Sequence, residues 1–277
     1  MAEKCNHDCS SCGADCASRE NAGPKRAEHG KIKKVIGIVS GKGGVGKSSV
    51  TALLASAAAA RGISTAVLDA DVTGPSIPKM FGVHTAAMSD GKKILPAVTA
   101  EKGIKLISVN MMLRNEDDPV LWRGPVISGL VKQFWDEVEW GDTDLMFVDM
   151  PPGTGDVALT VFQSLPVDGI IVVTSPQQLV SMIVGKAVNM ARMMNVPIIG
   201  IVENYSWFDC PSCGGRHYIF GKGGVEETAE KYSLPVLARI PFRPEYASMC
   251  DEGRAEYIDC PEAADALAAV QAAPIKR

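Results

Sequence analysis

Nowhere in the 277 residues does an apolar run reach the roughly 18 residues that a membrane-crossing helix needs. The N-terminus, MAEKCNHDCSSCGADC, lacks the apolar segment of a secretory signal. Charge of neither sign is concentrated: 28 Lys and Arg stand against 32 Asp and Glu, a net charge of −4 without a block of one sign. That balance excludes a generic nucleic-acid binder. No internal repeat is present. These absences lead us to expect a cytoplasmic protein with neither a membrane nor a nucleic acid as partner. What is present is ordinary for a globular protein, 46% hydrophobic and 22% charged. A chain this long buries roughly three quarters of its unfolded surface and needs no disulfides to hold a core.

The cysteines break that pattern. Of eight, Cys5, Cys9, Cys12 and Cys16 crowd the first 16 residues, Cys210 and Cys213 form a C-x-x-C, and Cys250 and Cys260 stand apart. In a reducing compartment, clustered cysteines hold metal or do redox chemistry more often than they form disulfides. The C-x3-C-x2-C-x3-C of the N-terminus is a complete set of four thiolates, and soft thiolates select iron–sulfur clusters or zinc. His7 inside it reads as a solvated neighbour, with replacement of one cysteine as a ligand the alternative. The Cys210–Cys213 pair supplies two thiolates where a 4Fe–4S cluster usually takes four. Three readings stand: a redox dithiol, half of a zinc knuckle, or half of a site that a two-fold dimer axis completes. Cys250 and Cys260 read as unrelated residues.

Residues 1–33 are polar and without period, a cysteine-rich metal-binding tail and linker; 34–277 read as one domain. Short apolar runs at 35–40, 65–69, 104–109, 145–149, 169–174, 198–202 and 236–240 have the both-faces-buried character of parallel strands. Helical stretches alternate with them at 48–61, 125–139, 177–194 and 225–231, and 262–272 forms a closing helix. The expectation is an α/β fold, a doubly wound, mostly parallel sheet that binds ligands at the carboxyl ends of its strands. Met190, Met193 and Met194 fall at helical spacing and are expected in the core. Trp122, Trp135 and Trp140 are expected in the core or at an interface.

After the first run comes Gly41-Lys42-Gly43-Gly44-Val45-Gly46-Lys47-Ser48, a G-x-x-x-x-G-K-S loop between a strand and a helix. Its glycines let successive amides converge on phosphate oxygens while the helix N-terminus adds a favourable dipole. Lys47 supplies a charge to the β- and γ-phosphates, and the Ser48 hydroxyl is a ligand for Mg2+. Asp149, closing an apolar strand beside this loop, suits a metal-bound water, and Asp71 in DADVTGPS suits positioning of the attacking water.

The extra lysine, Lys42, resembles the deviant Walker A loop of the MinD, ParA and nitrogenase-iron-protein group of ATPases. Within that group, DADVTGPS, DMPPGTGD, VENYSWF, the C-x-x-C and GRHYIFGKGG resemble the Mrp/ApbC branch of iron–sulfur cluster carriers over about residues 33–242. The N-terminal cysteines resemble the extension of its Nbp-type members, with tighter spacing. The resemblance implies a P-loop ATPase of the MinD and nitrogenase-iron-protein fold, with ATP and Mg2+ bound by residues 41–49, including Ser49. It implies that Lys42 reaches the nucleotide of the other subunit of a homodimer, Asp71 supports hydrolysis and Asp149 the Mg2+ site. It further implies that Asn204 recognises adenine, that Pro241 flanks the base, and that Asp69 is similar in type. Finally it implies a 4Fe–4S cluster bridging two copies through Cys210 and Cys213, carried to apo iron–sulfur proteins by slow, coupled ATP hydrolysis.

The alternative is a MinD- or ParA-type positioning ATPase with zinc at the cysteines. The alanine-rich C-terminus AADALAAVQAAPIKR is a poor membrane anchor for such a protein. An iron-protein-like reductase would carry cluster cysteines mid-fold, and none occurs between Cys16 and Cys210.

Overall fold

The computed structural model describes residues 27, 30–71, 76–85, 87–89, 91, 93–112, 124–153, 155–176 and 180–275. Cys5, Cys9, Cys12, Cys16 and Trp122 lie outside them. In chain order the elements are β1 (Gly30–Val39), α1 (Lys47–Ala60), β2 (Thr65–Asp69), α2 (Ile77–Met80), β3 (Met88–Ser89), β4 (Ile94–Leu95), β5 (Ala97–Val98) and β6 (Lys105–Ser108). They continue with α3 (Gly124–Glu137), β7 (Gly141–Asp149), α4 (Asp156–Ser164), β8 (Gly169–Thr174), α5 (Val180–Met193) and β9 (Ile198–Asn204). The chain closes with β10 (Phe208–Asp209), β11 (Arg216–His217), α6 (Val225–Tyr232), β12 (Val236–Ile240), α7 (Pro244–Asp251) and α8 (Pro261–Ala272).

Eight strands form one sheet in the order β12-β9-β8-β1-β7-β2-β6-β5. Every pairing in it is parallel except the edge pair β5–β6. The seven apolar runs of the sequence are its seven parallel strands. Strand residues alternate between two cores, as the two-residue period of a pleated strand requires. Val35, Leu68, Val148, Val172 and Ile201 pack under α3, α4, α5 and α6. Ile36, Ile38, Val67, Phe147 and Val202 pack under α1 and α8, where small residues such as Ala52, Ala55, Ala58, Ala263 and Ala266 let the helices approach closely. Trp135 and Trp140 are buried in the first core, with Trp140 Nε1 donating to the Phe134 carbonyl at 3.0 Å. Met190 is buried as expected, but Met193 is 77% exposed and belongs to the helix surface.

Strand β1 starts at Gly30, inside the span read from sequence as linker, because its first residues, Gly-Lys-Ile-Lys-Lys, show no apolar run. Backbone pairing with β7, from Gly30 opposite Gly141 onward, supplies what composition does not. Lys34 then does structural work: its buried ammonium donates to the carbonyls of Val270, Gln271 and Ala273 at 2.9, 2.8 and 2.7 Å. These are among the carbonyls left without intrahelical partners where α8 ends, and a cation is favoured there by the helix dipole.

The connectivity places the site. From β1 the chain crosses through α1 to β2 on one side, whereas from β7 it crosses through α4 to β8 on the other. The loops leaving the adjacent strands β1 and β7 therefore diverge and leave a crevice at their carboxyl ends.

Replacing Lys34 with Ala leaves one buried and two partly buried carbonyls without a donor. We expect a loss of about 2 kcal/mol, read as a lower urea midpoint at unchanged slope; a loss below about 0.5 kcal/mol would show that the cap contributes nothing.

Candidate functional site

The loop after β1 fills that crevice. Gly44 and Gly46 adopt φ of 79° and 76°, the left-handed region that glycine enters without strain. At Gly46 the constraint is also steric: a Cβ there would sit 2.2 Å from Asn204 Nδ2 and 2.6 Å from Tyr205 Oη. Gly46 caps α1 without a side-chain hydrogen bond, so the first amides of that helix stay available to an anion.

Asp149 ends β7 opposite Asp69 of β2 and Ile38 of β1. It is fully buried and accepts hydrogen bonds from Ser48 Oγ at 2.5 Å and Thr51 Oγ1 at 2.8 Å. Lys47 Nζ lies 2.9 Å from Asp149 Oδ2 and 3.2 Å from Asp71 Oδ2. Burial lowers the Lys47 pKa, but the carboxylates of Asp149 and Asp71 outweigh it and hold the ammonium above its ordinary value. Asp69, also fully buried, accepts from Ser108 Oγ at 3.0 Å and from the Asp71 amide at 3.1 Å. Burial first, and the charge of Asp149 second, push its carboxyl well above the usual carboxylate range. The geometry thus brings Lys47, Ser48, Asp71 and Asp149 together, and adds Asp69 and Thr51 as their support. Lys42 is half-buried on the same loop.

Two cavities meet along this surface. One is lined by the loop from Gly43 to Ser49 with Asp71 and Pro152; the other by Asn204, Ile240, Pro241, Phe242, Arg243 and Cys250. Ser49 and Tyr205 line both, so the two are neighbouring compartments of one cleft. Asn204 is buried at the end of β9 and donates through Nδ2 to the Val45 carbonyl at 3.0 Å. Arg243 forms a forked pair with Glu262 of α8, at 2.7 and 3.2 Å, and reaches the Tyr246 hydroxyl. The wall that contains Pro241 is therefore braced against the C-terminal helix.

Just beyond Asn204 the chain forms the two-residue hairpin β10–β11, which carries Cys210 and Cys213 at its tip. The turn is closed by Cys210 N to Gly215 O at 2.9 Å and Gly214 N to Cys210 O at 2.8 Å. Arg216 braces it, pairing with Asp209 and lying 4.2 Å over the Trp207 ring, while Trp207 Nε1 also donates to Asp209 at 2.9 Å. The Phe242 amide donates to the Trp207 carbonyl at 2.7 Å, tying the hairpin to the cavity wall. Cys213 is exposed and Cys210 partly so. Backbone amides of Cys213 and Ser212 pointing at the Cys210 sulfur lower its pKa, an arrangement that favours thiolate. The hairpin also delivers a residue we did not single out: Sγ of Cys210, Sγ of Cys213 and a ring nitrogen of His217 lie within 4.8 Å of one another. No sequence signal marks His217 until the strand pairing is known. Tyr205, Thr51 and Arg243 were missed for the same reason, since each acts through a partner distant in sequence.

Comparison with known proteins places these features in a family. Residues 31–273 match the model of a ParA-group family described as NUBPL iron-transfer P-loop NTPase. The chain belongs to this family. Among relatives of this NTPase, the iron–sulfur cluster carrier protein of Clostridium perfringens is 44% identical over 235 residues, 82% of each chain. That of Methanocaldococcus jannaschii is 47% identical over 230 residues, 82% of this chain and 79% of its own. A nucleotide-binding protein of Archaeoglobus fulgidus, solved with ADP and with cobalt found in it, superposes with a TM-score of 0.75 at 40% identity, covering 84% of this chain and 90% of its own. MinD of Aquifex aeolicus, at 18% identity and a TM-score of 0.61 over 88% of this chain and 100% of its own, shares the fold. No helix among the described residues is long and apolar enough to cross a membrane.

Two expectations follow. Gly46→Ala forces strain at positive φ and a clash with Asn204, so we expect at least about a 100-fold loss of nucleotide affinity with the fold retained; unchanged binding by calorimetry would contradict the geometry. Burial raises the thiols of Cys250 and Cys260 to about 11, so at pH 7.5 little thiolate exists at either. Iodoacetamide should then modify Cys210 and Cys213 of the native protein first, with Cys250 and Cys260 reacting only after unfolding, as peptide mass spectrometry will report.

Proposed function

We propose that the chain is an ATP-hydrolysing carrier that binds an iron–sulfur cluster of the 4Fe–4S class and delivers it to apo-proteins. The observation that carries this reading is one continuous segment, from Asn204 in the nucleotide cleft to the solvent-accessible Cys210–Cys213 pair, tied to the cleft wall at Trp207 and Phe242. The names of the relatives support the cargo. Two thiolates per chain become four when two copies face each other, so the cluster bridges a homodimer. The four N-terminal cysteines supply a further four-thiolate set for a second cluster or for zinc.

In the cleft, the loop amides and Lys47 bind the phosphates, and Asn204 reads the base. With Nδ2 engaged by Val45, its Oδ1 is left to accept from the exocyclic amine of adenine; guanine offers an acceptor there and is disfavoured. Pro241 packs against the base. Asp71, at the lip of the phosphate compartment, orients the attacking water, and Lys42 reaches the nucleotide of the other copy. The hard oxygen donors of Ser48 and Asp149 fit Mg2+, which when bound neutralises charge developing on the phosphates. Phosphate binding draws Lys47 from the carboxylates that hold it, and its movement, with that of Ser48 on Asp149, alters the end of β7. Tyr205 and Ser49, shared by both compartments, pass that change to the hairpin.

The MinD- or ParA-type positioning role is disfavoured. Structures of that group resemble this chain at 12–21% identity, which shows the fold alone. Here α8 commits its apolar face, Ala263, Ala266, Leu267 and Val270, to the core and leaves none for a lipid surface.

Removing Lys47 as Lys47→Ala should abolish nucleotide binding and with it any effect of ATP on cluster transfer in a reconstituted assay. Transfer that responds to ATP as in the native protein would refute the coupling. Asn204→Ala should narrow the preference for ATP over GTP by about 5- to 30-fold, the 1–2 kcal/mol of one base contact.

A further inference from the structure

We propose that Cys210, Cys213 and His217 form a metal site within a single chain, holding one borderline-soft divalent ion of the zinc class with the fourth position open. The inference rests on the carrier reading only for the use of the two thiolates; the third donor and the single-chain state are separate from it. The three donor atoms already lie within 4.8 Å of one another. In a tetrahedral zinc site with sulfur and imidazole donors they stand about 3.5–3.8 Å apart, so closure asks for a shift of roughly 1 Å.

A second observation marks the same spot. A Cβ built on Gly215 would lie 3.3 Å from Cys213 Sγ and 3.5 Å from His217 Nε2. The absence of a side chain at 215 leaves room beside Cys213 Sγ, and His217 Nε2 borders the same space. The hairpin that holds the set is fixed by Arg216 and Asp209 on the strand pair itself, opposite each other in register. Of its basic groups, Arg216 is already paired with Asp209 and so does not oppose a cation.

The donor set suits a dication. Two thiols lose their protons to become thiolates, the imidazole stays neutral, and the occupied site carries no net charge. Oxygen-seeking Mg2+ is not matched by two sulfurs and a nitrogen, whereas zinc and cobalt are. Because Cys213 and His217 are exposed, the open position faces solvent. It is there that a further ligand enters, and the neutral imidazole is the donor that leaves when a partner's thiolates arrive. A lone chain thus keeps its cysteine pair occupied and protected from oxidation before any cluster bridges two copies.

Cobalt(II), the spectroscopic stand-in for zinc, provides the test. It is titrated without oxygen into the full-length chain carrying Cys5→Ser, Cys9→Ser, Cys12→Ser and Cys16→Ser, at a concentration where sedimentation shows monomer. We expect one cobalt per chain, tetrahedral d–d absorption, and charge-transfer intensity corresponding to two thiolates. His217→Ala should weaken binding at least about tenfold, Gly215→Ala should weaken it by crowding Cys213 Sγ, and His217→Cys should restore it with the charge transfer of three thiolates. ADP binding in each variant verifies the fold. One cobalt per two chains with a four-thiolate spectrum, or affinity unchanged in His217→Ala, would overturn the proposal. Reconstitution of the same proteins with iron and sulfide separates the two readings. A cluster that forms in the parent and in His217→Ala, but not in Cys210→Ser, upholds the carrier whatever cobalt does. Failure of cluster formation in the parent defeats the carrier reading and leaves the cobalt result standing.

Discussion

Asp149 lies fully buried at the carboxyl end of β7, on the floor of the crevice, and an isolated carboxylate there would be costly. The fold offsets that cost by bringing Ser48, Thr51 and Lys47 to it, all from the first turns of α1. The phosphate loop is therefore anchored to the central strand pair by its own helix rather than left as a free glycine turn. Asp69, in register on the adjacent strand, is pushed toward its protonated form by burial first and by its neighbour Asp149 second. Lys47 held between the carboxylates of Asp149 and Asp71 makes an arrangement that is stable with the lysine seated and poised to change when a polyanion competes for it.

That electrostatic knot connects outward by packing. Val45, on the loop, accepts from Asn204; Asn204 begins the turn at Tyr205, whose φ of 60° is unusual for a non-glycine residue. Tyr205 contacts both Phe242 and Phe220, the latter following the cysteine hairpin. Nucleotide cleft and cysteine pair share these aromatic side chains, so neither end can rearrange without disturbing the same few rings.

Much of this was legible in the sequence, and the reason is local. Seven strands buried on both faces announce themselves as apolar runs, and a phosphate loop is a contiguous set of residues whose chemistry needs no partner to be recognised. Asp149 was found because it closes such a run. What escaped notice depends on pairing across the chain. The start of β1 is polar and becomes a strand only beside β7; α2, β3, β4, β5, β10 and β11 are too short to carry a period. Thr51 reads as an unremarkable helix residue until Asp149 is placed against it, and Met193 shares the spacing of the core methionines while facing water. His217 belongs with the cysteines only once Phe208 and His217 stand opposite each other.

The hairpin β10–β11, two residues on each strand, adds no side chain to either hydrophobic core. An isolated ribbon of that size has little stability of its own. Its tip, unlike the base held at Trp207 and Phe208, is consequently only loosely coupled to the folding of the rest: changes there escape the quality control that removes unstable chains. Variation among proteins built this way should then accumulate at the tip according to what each must hold and to whom it must give it, while the strands beneath stay under the constraint of packing.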